Sequence, residues 1–195
     1  MSMRLMIPAL LGQMIAQPKA FEEQFLAYLE AGGFDTKEVA KTLGKMELYH
    51  FRTIAGLQEQ KFFTGAFDNA QTNVPSSNYV RPKGEHFVIY GIKIEEATGA
   101  TNVGLDWVPG ANFVYSKNSN ISVKVNGLDR LKEVPLSSAM ENLTTADNGI
   151  IILDEPIIWG GEVEMITTIS SKNDLERGPA NGWLRVTHIG IGLFA

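Results

Sequence analysis

The sequence predicts a mainly β protein: a single jelly-roll β-sandwich over residues 57–195, preceded by a short α-helical N-terminal arm over residues 1–56. Three observations carry that expectation. Beyond residue 57 apolar residues recur at every second position in segment after segment, the period of a half-buried strand. Turn-forming clusters such as RPKGE, VPGAN, VNG, TTADNG and WGGE separate these segments at intervals of roughly 8–14 residues, and the lack of long helices between them excludes a parallel βαβ architecture. The connections are also unequal in length, which suits a jelly roll better than an up-and-down meander.

Taken in order, the chain opens on MSMRLMIPALLGQMIAQP, an apolar stretch interrupted by Pro8, Gly12 and Gln13. It is shorter than the about 20 apolar residues a spanning helix needs and lacks a small-x-small cleavage site, so it is expected to pack on a core or on a neighbouring subunit. Phe21, Phe25 and Leu29 recur at steps of four, giving a helix with an apolar stripe that stops at Gly32 and Gly33. Asp35, with Glu38 three positions on, has the form of a capping box ahead of Val39, Leu43 and Met46, and predicts a second helix from about residue 36 to 46.

From there the period is two. In KFFTGAF the neighbours Phe62 and Phe63 would face opposite ways on a strand, leaving one of them exposed or buried against a partner. HFVIYGIKI places Phe87, Ile89 and Gly91 on one face and Val88, Tyr90, Ile92 and Ile94 on the other. In NISVKVNG, Ile121, Val123 and Val125 share a face before Asn126-Gly127, a pair suited to a tight hairpin. NFVY, DRLKEVPL, NGIIILDEPIIW, GEVEMITTIS and WLRVTHIGIGLFA continue the series, for roughly eight strands in all.

Composition narrows the chemistry. The chain has 195 residues, of which 44% are hydrophobic, enough for a sizeable core. It contains no cysteine, which removes disulfides, thiolate metal sites and a thiol nucleophile. Net charge is −5, with seven Lys/Arg against seven Asp/Glu up to residue 61 and ten against fifteen beyond it. Neither part matches the clustered cations that a phosphate backbone demands, so direct nucleic-acid binding is not expected.

The three histidines, His50, His86 and His188, lie in separate segments without the H-x-H pair on which a cupin mounts its metal. Glu162 and Glu164 alternate onto one face of GEVEMITTIS, with Asp154 and Glu155 at a nearby strand end; such a set could serve glycoside hydrolysis, but it is also the pattern of a solvated strand face. Neither a G-x-S-x-G elbow nor a P-loop is present. The residues singled out are therefore aromatic. Phe62, Phe63, Trp107 and Trp159 are candidates for a subunit interface or a ligand platform, against the simpler reading that they fill the core.

The order of parts resembles the jelly-roll virion proteins of bacteriophages: a helical appendage, KFFTGAF as a first strand, RPKGEHFVIYGIKI as a long one, GGEVEMITTIS late, and GWLRVTHIGIGLFA closing the sheet, over roughly residues 57–195. That resemblance implies a capsid or capsid-associated structural protein, a homotrimer or larger symmetric assembly with other virion proteins as partners. It further implies a virion location after assembly in the host cytoplasm, with no catalytic residues and no cofactor. The alternative is a carbohydrate- or receptor-binding β-sandwich module. A cupin-like or glycosidase enzyme is a third reading, against which the scattered histidines and ordinary carboxylates count.

Overall fold

Helix α1, Pro18–Ala31, starts on a proline whose fixed φ suits a first helical turn and whose missing N–H costs nothing there. It stops as the sequence predicts. Gly32 and Gly33 donate their N–H groups back to the Tyr28 and Glu30 carbonyls at 3.1 and 2.9 Å, and Gly33 takes φ 83°, which a residue without Cβ adopts freely. The computed structural model describes residues 18–33, 42–54, 58–65, 70–74, 79–109, 118–137, 150–171 and 182–194. The expected apolar N-terminal tail and the NFVY segment lie outside them.

Nine strands follow among the described residues: β1 (Thr42–Thr53), β2 (Glu59–Phe62), β3 (His86–Thr98), β4 (Val108–Pro109), β5 (Ser119–Val125), β6 (Leu128–Pro135), β7 (Ile150–Trp159), β8 (Met165–Ser171) and β9 (Gly182–Phe194). All their pairings are antiparallel. One sheet runs β1-β9-β3, and the far side of β3 is shared by β7, opposite Phe87 to Lys93, and the short β4, opposite Glu95 and Glu96. The second sheet runs β2-β8-β5-β6. The mainly β class and the antiparallel layers are thus as the sequence predicts, including the β5–β6 hairpin, where Asn126 and Gly127 take φ 52° and 74°.

A single apolar cluster joins the two sheets as in a β-sandwich. Ile89, Ile92, Ile94, Leu184 and Val186 from the first sheet meet Phe62, Ile121, Val123, Val125, Met165 and Ile169 from the second. Burying each such side chain contributes about 1.5–3 kcal/mol before entropy is counted, so this layer is the main source of stability. The first sheet is covered on its other face too: Phe25 and Leu29 of α1 pack on Val88, Tyr90, Ile191 and Leu193. That second cluster explains why β3 and the end of β9 are apolar on both faces.

Three expectations need correction. Residues 42–46 are the start of strand β1, not the end of a helix, and the remainder of the predicted 36–46 helix lies outside the described residues. Leu43 and Met46 do share a helical spacing, but on the strand they serve different layers, Leu43 packing with the α1 cluster and Met46 with the inter-sheet core. Since β1 pairs with β9 along its whole length, the sheet begins inside the stretch assigned to the N-terminal arm.

The second correction concerns Phe62 and Phe63, which are both fully buried. β2 ends at Phe62, and Phe63 takes φ 60°, so the simple alternation that would turn one ring outward no longer holds. The third lies in β3, where the register against both neighbours shifts between Ile89 and Gly91. This bulge reverses the phase, so Phe87 and Ile89 share the inter-sheet core with Ile92 and Ile94, while Val88 and Tyr90 face α1.

Candidate functional site

Of the four aromatic candidates, three are core residues. Phe62, Phe63 and Trp159 are 0%, 1% and 0% exposed, so within the chain none of them can present a ring to a ligand. Trp159 donates its indole N–H to the Val163 carbonyl at 2.8 Å, and buried Arg81 lies 5.9 Å from the centres of both the Trp159 and Phe87 rings. Arg81 is held by Glu85 at 2.8 Å; burial lowers its pKa and the Glu85 carboxylate opposes that shift. This assembly fixes a corner of the fold and has no open face.

Trp107 is the exception, since it remains partly exposed. It follows the 99–104 turn and leads into β4, where its ring stands 5.3 Å from Phe51 and receives the Arg185 guanidinium 4.4 Å from its centre. Arg185 donates through Nε to Glu95 Oε2 at 2.7 Å, and its Nη2 lies at the same distance. Lys93 Nζ reaches the other oxygen of Glu95 at 2.9 Å. One buried carboxylate thus holds two cations on the outer face of the first sheet. Trp183, 6.1 Å from Phe51, closes the cluster by donating its indole N–H to the Gly99 carbonyl at 2.8 Å. Glu95, Arg185 and Lys93 were not distinguishable by sequence reading. Glu95 stands opposite Arg185 only once the β3–β9 register, with its bulge, is known.

The second polar group lies inside. His50 on β1 is fully buried, and its Nδ1 accepts the Phe63 N–H at 2.7 Å. Its Nε2 lies 3.3 Å from the Tyr79 hydroxyl. Arg52 Nε lies 3.0 Å from the same nitrogen, while its Nη2 donates to the Thr64 carbonyl. Burial first, and then the Arg52 charge, lower the pKa of His50 to about 3. Across the core His188, also lowered to about 3 by burial, shares a hydrogen bond of 2.9 Å with Thr167. Phe63 is wedged between the imidazoles, its ring centre 5.6 Å from that of His50 and 4.8 Å from that of His188. Two neutral, inaccessible imidazoles serve packing and hydrogen bonding, not proton transfer near neutrality.

The carboxylates predicted as a possible pair do not share a strand face. β8 begins at Met165, so Glu162 and Glu164 lie in the turn before it, with Glu162 at φ 59°. Asp154 and Glu155 stand exposed where β7 bulges between Ile152, opposite Gly91, and Ile157, opposite Ile89. Among the described residues no three His, Asp or Glu side chains gather as a metal site, and no helix is long and apolar enough to cross a membrane. No protein-family model matches this sequence, and no curated protein matches it.

Proposed function

We propose that this chain is a structural virion protein of a bacteriophage, capsid or capsid-associated, whose jelly-roll body works by assembling with copies of itself and with other virion proteins. The observation that carries the reading is the nesting of strand pairs: β1 with β9, β2 with β8, β3 with β7, and β5 with β6. A chain doubled on itself as one long hairpin and then rolled, so that alternate pairs fall in opposite sheets, has this order, and that is the logic of a jelly roll.

Edge treatment also supports closed assembly. The outer edge of β1 is occupied by residues 70–74: Phe51 donates to the Gln71 carbonyl at 2.9 Å and the Asn73 side chain bonds the Tyr49 N–H and the Glu47 carbonyl. β6, at the rim of the second sheet, carries Asp129, Arg130, Lys132 and Glu133, with register shifts against β5 and Glu133 at φ 49°. Charged, bulged or covered edges resist open-ended strand addition, leaving faces and loops for contacts that close.

The carbohydrate- or receptor-binding alternative needs presented aromatic rings. Trp107 is the one candidate of the four with exposed surface, and Arg185 already lies against its ring. Assembly therefore ranks first. Class averages of the purified chain in the electron microscope test it: particles with rotational symmetry are expected, whereas single copies that bind a glycan array would favour the alternative.

A further inference from the structure

The outer face of the first sheet has two halves. Helix α1 covers one, over Val88, Tyr90, Ile191 and Leu193. The other carries the cluster around Glu95, where charge is left over: a single carboxylate, its side chain 6% exposed, faces both the Arg185 guanidinium and the Lys93 ammonium, whose side chains are 25% and 33% exposed. We propose that this half is a binding site for a carboxylated saccharide, a sugar chain with hexuronic acid units, in addition to the contacts the chain makes with its own copies.

Both cations are held with donors to spare. Glu95 Oε2 takes the Arg185 Nε–H and one N–H of Nη2, each at 2.7 Å, and Glu95 Oε1 takes one of the three Lys93 N–H groups at 2.9 Å. The other parallel pair of the guanidinium, from Nη1 and Nη2, meets no partner among the described residues, and a carboxylate is a planar group that accepts such a pair. Because Glu95 already fixes the guanidinium, little rotamer freedom is lost when a ligand arrives. The excess is one positive charge, which matches one carboxylate and falls short of the cation clusters that a phosphate backbone requires. Asp106, the residue before Trp107, is exposed and forms no ion pair with either cation among the described residues.

Trp107 supplies the apolar part of the recognition. Its ring is partly exposed, has Arg185 4.4 Å from its centre and rests against Phe51 at 5.3 Å, with the partly exposed Trp183 6.1 Å from the same phenylalanine. A neutral sugar needs a bare ring face, and the guanidinium counts against that. For an acidic sugar a cation beside an indole is the required pair: the carboxylate meets Arg185 and Lys93 while the C–H face of the sugar lies along the exposed part of the indole. An acidic peptide fits less well. Peptides commonly add to a sheet at an edge, and the edge of β1 is already occupied by residues 70–74.

Titration calorimetry of the purified full chain with trigalacturonate, using maltotriose and a triglutamate peptide as controls, tests the site. The uronate should bind, both controls should bind at least about tenfold more weakly, and added salt should weaken the uronate. Lys93→Gln and Trp107→Ala should each lower the uronate affinity about tenfold. Lys93→Gln leaves Glu95 its two bonds to Arg185, so that variant keeps the fold. No uronate binding, equal binding of either control, or an affinity unchanged in either variant overturns the proposal. Failure here would leave assembly untouched, because sedimentation reads the copy number with no saccharide present.

Discussion

Phe63 shows how a single backbone angle can turn two neighbouring rings inward together, where strand alternation would have sent them opposite ways. Its left-handed φ brings it inward behind Phe62, against His50, Trp159 and His188. Phe63→Ala should therefore cost about 3–5 kcal/mol in urea unfolding, the usual penalty for emptying a fully packed aromatic site. Trp107→Ala should cost about 1 kcal/mol, since it loses a partly exposed cation–π contact and leaves no closed cavity. Equal costs would contradict the assignment of one to the core and the other to the surface.

The two interior histidines predict a pH dependence whose sign follows from their shared direction of shift. Each is lowered to about 3, so the unfolded chain binds their protons first as pH falls. Their contribution to stability is complete above the free value of about 6.5 and is lost progressively as the pH drops towards 3, at about 1.4 kcal/mol per pH unit for each histidine. Urea unfolding at about pH 5 should thus show about 4 kcal/mol less stability than at about pH 7, and a His188→Gln chain that folds should show about half that loss. Stability unchanged between these two pH values would mean that the imidazoles are not held neutral.

Among the elements, β3 and β9 form the structural axis, and their approach at the bulge is close. A Cβ at Gly190 would strike the Val88 carbonyl, in the register where Ile89 faces Gly190 and Gly91 faces Ile189. Gly190→Ala should cost about 3 kcal/mol or prevent folding, as forced overpacking within a sheet does. Thermal unfolding checks this, and a loss below about 0.5 kcal/mol, the ordinary range of a neutral surface change, would show that the strands are further apart.

The legibility of the elements follows the same physics. Ile121, Val123 and Val125 could be read because one face of β5 is buried and the other is not, which leaves a clean period of two. Helix α1 could be read from its stripe and its glycines. β1 misled because Leu43 and Met46, facing opposite layers, happen to stand three apart, a spacing that a helix stripe also has. The bulge in β3 was illegible, since Gly91 gives no sign in isolation of which residue falls out of phase. At the outer-face cluster only Trp107 had been marked, because a lone Glu95 and a lone Arg185 acquire meaning through pairing across strands 90 residues apart.

A helix, a sheet and a second sheet are stacked so that both faces of the middle layer are covered, and the described polar groups are spent on fixing corners and edges. In the proposed reading such a body supplies shape, and contact with further copies supplies its purpose. In that reading the mildly acidic chain, at −5, would leave genome neutralisation to other components.

Sedimentation equilibrium of the purified full chain over a wide concentration range tests that claim most directly. The account predicts one closed species of fixed mass, three copies or more, persisting on dilution. A mass of one chain, 21.4 kDa, at every concentration would contradict it.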